Sequence, residues 1–125
     1  MPLAVWLILA AGLLPLVALL PGKWSREFDN SNPRDPQYWA DPFRARALSA
    51  HKNSLEAFPL FAIAVIVGLW QGGDPEWINR LCGLFISMRV LYILCYLLDK
   101  APLRSLTWSV GFIATIAIFT TPVWS

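Results

Sequence analysis

Four long apolar stretches, each closed by turn-forming residues, dominate the pattern of this chain. Leu3 to Leu20 is apolar throughout, with Pro2 before it and Pro21-Gly22 after it. From Lys23 to Asp41 the chain turns polar, and Asn32-Pro33, Asp35-Pro36 and Asp41-Pro42 punctuate it as a long loop. A second helix is predicted over 43–70, with Asp41 as its N-cap and Pro42 at its first position. Pro59 falls inside it and should bend it by removing one backbone donor. Gln71-Gly72-Gly73-Asp74-Pro75 is the next turn. A third helix over 76–98, the turn Asp99-Lys100-Ala101-Pro102 and a fourth helix over 103–123 complete the chain.

A hydrocarbon layer about 30 Å thick takes roughly 20 apolar residues per crossing helix. The fold class expected is therefore an all-α membrane protein, a bundle of four transmembrane helices in one domain, 1–125. The first stretch lacks the basic flank and small-residue cleavage pattern of a secretion signal, so it is expected to stay in the protein. Trp24, Tyr38 and Trp39 in the first loop fit an aromatic belt at the membrane interface.

Composition strengthens this picture. Hydrophobic residues make up 57% of the chain and charged ones only 14%, far from the balance of a water-soluble domain. The net charge of +2 is small and the basic residues are scattered, which sets nucleic acid aside as a partner. Cys82 and Cys95 share one predicted helix, about 20 Å apart along it, too far for a bond within the chain. Lys23, Arg26, Arg34, Arg44, Arg46, Lys52, Lys100 and Arg104 all flank the side of the first and third loops, against Arg80 opposite. The positive-inside rule then puts those loops in the cytoplasm and both termini outside, as in a multi-pass membrane protein.

Polar residues inside the spans change the reading from architecture to chemistry. Arg46, Ser49, Asn53 and Glu56 follow each other at intervals that stack them on one helix face, flanked by His51 and Lys52. Arg89, Tyr92, Tyr96 and Asp99 repeat the spacing in an otherwise apolar third helix. Arg89 lies on the order of 15 Å from that helix end. A charge so deep costs about 2.5–3.5 kcal/mol even on insertion scales and needs a partner or a wet cavity. Glu56 is the expected partner, across helices or through a shared ligand. Interhelical polar contacts alone would hold a bundle with fewer residues. Cations around tyrosine hydroxyls suit an anionic small molecule with many hydrogen-bonding groups.

The run Arg46-Ala47-Leu48-Ser49-Ala50-His51-Lys52-Asn53-Ser54-Leu55-Glu56-Ala57-Phe58-Pro59-Leu60-Phe61 resembles the second-helix signature of the MAPEG family, membrane-associated proteins in eicosanoid and glutathione metabolism. Arg89-Val90-Leu91-Tyr92-Ile93-Leu94-Cys95-Tyr96 and Ala101-Pro102-Leu103-Arg104-Ser105-Leu106-Thr107-Trp108 resemble that family's third helix and the start of its fourth, and the Asp29-to-Arg34 loop resembles its small bacterial members. The resemblance implies a homotrimer that holds glutathione, or a similar thiol, between subunits near the cytoplasmic side. It implies that Arg46, His51, Asn53 and Glu56 hold the tripeptide from one subunit, and Arg89, Tyr92, Tyr96 and Arg104 from the next. Arg104 falls on the family's activating arginine and Ser105 on the serine beside it. A glutathione transferase or peroxidase acting on a hydrophobic substrate drawn from membrane lipids is the implied activity, with glutathione as co-substrate and no metal. Ser49 stands where active members usually carry an arginine, and Ala57 where one branch has a tyrosine. The alternatives are a non-catalytic protein of the same fold that binds a lipid or an anionic metabolite, and a small four-helix transporter.

Overall fold

The computed structural model describes residues 1–125 as four helices: α1 (Leu3–Lys23), α2 (Pro42–Trp70), α3 (Pro75–Leu97) and α4 (Ala101–Trp124). All four are long and apolar enough to cross a membrane. Local chemistry sets most of their ends. Asp41 accepts a hydrogen bond from the Arg44 N–H at 3.2 Å, with Pro42 opening α2. Asp74 accepts from the Glu76 N–H at 3.0 Å, with Pro75 opening α3. Proline lacks the N–H that a first turn leaves idle, so both junctions are self-consistent.

The carboxyl ends use left-handed residues. Gly72, at φ 89°, lets the Gly73 N–H turn back to the Gly68 carbonyl at 2.8 Å. Asp99, at φ 58°, does the same for α3, where the Lys100 N–H reaches the Cys95 carbonyl at 2.8 Å. This reversal is the Schellman closure of a helix. Asp99 is therefore past the end of α3 and leaves the polar stripe that its spacing had suggested.

α1 also departs from expectation. It runs on through Pro21 and Gly22 to Lys23, because proline's fixed φ is itself helical and only one backbone bond is lost. Helix α2 likewise continues through Pro59.

Small residues bring the helices together. Ala4, Ala11 and Ala18 recur at seven-residue intervals on the buried side of α1, which lets α2 approach closely. Phe61 of α2 stacks on Phe85 of α3 with ring centroids 4.0 Å apart, in a core that includes Val65, Ile78 and Ile118. The outer faces stay apolar: Leu9, Ile63, Leu94 and Ile113 are about half exposed or more. A bundle that is apolar outside as well as inside has lipid for its solvent. The protein is an integral membrane protein.

The first loop is folded down onto the bundle. Tyr38 and Trp39 open a short 3-10 turn, Tyr38–Ala40, and both are buried rather than set in an interfacial belt. The Tyr38 hydroxyl donates to the Gly22 carbonyl and the Trp39 indole N–H to the Pro33 carbonyl at 2.9 Å. Arg44 clamps the loop from α2, with hydrogen bonds of 3.0 Å to Ser25 Oγ and to Glu27 Oε2. Trp24 alone is left fully outside, 90% exposed.

Candidate functional site

The polar side chains of α2, α3 and α4 meet near the end of the bundle that carries the first and third loops. Arg89 is buried, 3% exposed, in the middle of this assembly. Its Nη2 donates to Asn53 Oδ1 at 2.8 Å and, more weakly, to Ser54 Oγ at 3.4 Å. Ser54 gives its own proton to the Ala50 carbonyl at 2.8 Å, so its oxygen lone pair is free to face the guanidinium. The expected ion pair between Arg89 and Glu56 is absent. A neutral amide and a hydroxyl take the place of the carboxylate, with Asn53 one turn before Glu56 on α2.

A ladder of cations and aromatic rings continues along α3. The Arg89 guanidinium lies 4.3 Å from the Tyr92 ring centroid. Tyr92 and Tyr96 meet edge to face at 5.6 Å. Arg104, in the first turns of α4, lies 4.4 Å from the Tyr96 ring centroid. Each cation thus rests on a π face, a contact worth on the order of 1–2 kcal/mol where water is scarce. No acidic residue occupies the first turn of α4, and no side chain caps it. The positive pole of the helix and the Arg104 charge therefore add at one point.

This cluster opens onto a cavity of about 200 Å³ among α2, α3 and α4. Asn53, Glu56 and Arg89 line its polar end. Leu60, Phe85, Trp108 and Phe112 line the apolar remainder, and Trp108 stacks on Phe112 at 5.1 Å with ring planes 7° apart. Glu56 and Arg89 both line this cavity without forming an ion pair. A charged rim here borders an aromatic slot, so polar and apolar surfaces lie side by side.

Of the residues singled out from sequence, Asn53, Glu56, Arg89, Tyr92, Tyr96 and Arg104 come together within one chain. Arg46 belongs to the same helix face but sits two turns nearer the start of α2, beside Phe43, with its Nε buried and unpartnered. His51 is turned away: its Nδ1 lies 2.6 Å from the Pro15 carbonyl of α1, and it lines a separate groove. Two residues along a helix is about 200° of rotation, so His51 and Asn53 cannot share a face. Ser105 is exposed, with no side-chain partner in the chain. Ser54, Trp108 and Phe112 were not singled out; the four-residue spacing of the last two was the available signal.

Fold and site together define a polytopic membrane protein with one buried arginine at the polar end of an otherwise apolar slot. The chain matches the model of the MAPEG family over residues 3–124 and belongs to that family. No curated protein matches it.

Proposed function

We propose that this protein is a membrane-bound, glutathione-dependent transferase or peroxidase that acts on lipophilic electrophiles. One observation carries the reading: Asn53, Glu56 and Arg89 line the polar end of a cavity whose other walls are apolar, and Tyr92, Tyr96 and Arg104 continue the polar ladder from Arg89. Membership of the family supports it at the level of the class. Glutathione carries two carboxylates and one ammonium, and the side chains present fit that pattern. Arg46, whose buried Nε has no partner, and Arg89 and Arg104 match the carboxylates and the thiolate, while Glu56 matches the ammonium.

Arg104 and the amino-terminal pole of α4 favour the thiolate over the thiol, and the thiolate is the nucleophile. Its electron pair forms a bond from sulfur to the electrophilic carbon as the bond from that carbon to the leaving atom breaks. The leaving atom keeps the bonding pair and takes a proton from water. With a hydroperoxide, the thiolate attacks the terminal oxygen and the O–O bond breaks, the alkoxide leaving with the bonding pair and taking a proton to become the alcohol. A second glutathione then displaces water from the resulting sulfenic acid to close the disulfide. Trp108 and Phe112 hold the apolar partner and keep water from competing. The reading includes a homotrimer and cytoplasmic first and third loops, where glutathione is met.

Titration calorimetry of glutathione into the purified protein tests this reading. Binding should be measurable and should weaken roughly tenfold in Glu56→Gln, the loss expected for one charge-assisted hydrogen bond. A wild-type protein that takes up no glutathione contradicts it. Ser49, lacking the charge that active relatives place there, favours a second reading as a passive binder; binding without turnover of any electrophile would select it.

A further inference from the structure

A second chemically equipped place lies on the other side of α2. A groove of about 790 Å³ runs between the carboxyl end of α1, the 33–39 stretch of the first loop and α2. That volume is within the roughly 300–1,000 Å³ range of small-molecule sites. Lys23, Arg34 and Lys52 stand around it with His51. None of the three cations is paired with a carboxylate, since the chain's ion pairs are Arg44 with Glu27 and Arg80 with Glu76. Uncompensated positive charges around one opening draw an anion.

Deeper in, the lining becomes apolar. Leu16 and Leu19 come from α1, Leu48 and Leu55 from α2. Leu16 is 59% and Leu55 51% exposed, and both lie in membrane-spanning helices, so the groove leads from the basic rim into hydrocarbon. Its walls are fixed. His51 ties α2 to the Pro15 carbonyl, and Trp39 is pinned by its bond to Pro33. The Trp39 ring packs so tightly on α1 that a Cβ at Gly22 would come within 2.7 Å of it. Pro33 and Pro36 stiffen the strap over the opening.

We propose that this groove binds an anionic phospholipid, its phosphate among Lys23, Arg34 and Lys52 and an acyl chain along Leu16 and Leu55. Basic pockets at the cytoplasmic ends of transmembrane helices are suited to such headgroups. An unbalanced set of cations selects an anionic lipid over a zwitterionic one, and the leucine floor selects a lipid over a free phosphate. This site is separate from the Arg89 cluster and does not rest on the reading of it.

Native mass spectrometry of the full chain, released from nanodiscs of phosphatidylglycerol or phosphatidylcholine, tests the proposal. Wild type should retain phosphatidylglycerol and not phosphatidylcholine. Lys23→Gln with Arg34→Gln should weaken retention roughly thirtyfold, two basic contacts at an anionic headgroup being lost. Leu16→Trp, at an exposed position that tolerates size, should block the acyl track and weaken retention independently of charge. Equal retention of the two lipids, or undiminished phosphatidylglycerol in both variants, overturns the proposal. So does displacement of the lipid by millimolar inorganic phosphate or glutathione, which would make the groove a soluble-anion site. Absence of any retained lipid, as when a second copy of the chain covers the groove, overturns it as well.

Discussion

Arg89 of α3 is held by Asn53 of α2, at 2.8 Å, and not by the carboxylate of Glu56 one turn further on. The buried guanidinium thus keeps its positive charge uncancelled by its nearest partner, and Glu56 stays free at the edge of the cavity. A structural ion pair would have silenced both groups. A neutral partner leaves both available to a ligand.

The pairing has an energetic signature. Asn53→Leu should strand the Arg89 charge and lower stability by about 2–3 kcal/mol, the cost of an unsatisfied buried charged group. Asn53→Leu combined with Arg89→Leu should recover more than half of that loss, because no charge is left to strand. Thermal unfolding in detergent reads both; a double variant less stable than the single would refute the pairing.

Much of the fold was legible in the chain. Apolar runs of membrane length gave four helices, and Asp41-Pro42 and Asp74-Pro75 marked starts that the structure keeps. Ends were harder. Pro21 and Gly22 look like a stop, yet α1 passes through both, because Trp39 and Ala47 pack on Gly22 from far along the sequence. Tyr38 and Trp39 look interfacial for the same reason: their partners, the Gly22 and Pro33 carbonyls, are tertiary or lie within the folded loop. In the site, helical spacing brought Asn53, Glu56, Arg89, Tyr92 and Tyr96 into view. It could not choose between Asn53 and Glu56 as the arginine's partner, since both lie on the facing side and side-chain reach decides. His51 entered on resemblance, and its angular position on α2 separates it from the cluster.

Asp99 carries backbone strain that a substitution can release. It holds φ 58° at the closure of α3, a conformation that glycine adopts without steric cost. Asp99→Gly should raise stability by about 0.5–1 kcal/mol, measured as a higher melting temperature in detergent. A lower one would mean that the carboxylate has a role beyond the turn.

The first loop should loosen when its anchor is removed. Tyr38→Phe deletes the hydroxyl bond to the Gly22 carbonyl, a loss of about 1 kcal/mol. Limited proteolysis should then cut between Lys23 and Asp41 several times faster, with the four helices still resistant. An unchanged cleavage rate would show that the Arg44 clamp alone holds the loop.

The aromatic slot should act on the apolar reactant alone. Trp108→Ala removes one face of the slot and should raise KM for a hydrophobic electrophile roughly tenfold, the effect of losing part of an aromatic contact area. Glutathione affinity, measured separately, should stay within about twofold of the wild-type value. A matching loss in both would mean that Trp108 supports the whole cluster.

The central claim is that Arg104 and its neighbours make glutathione a nucleophile. Its most direct test is the ultraviolet difference absorbance of the thiolate when glutathione is added at neutral pH, with wild type and with Arg104→Ala. A thiolate band in the wild type that disappears in the variant, while glutathione still binds, is the expected result. Bound glutathione that shows no thiolate in the wild type, or an equal band in both proteins, would contradict the claim.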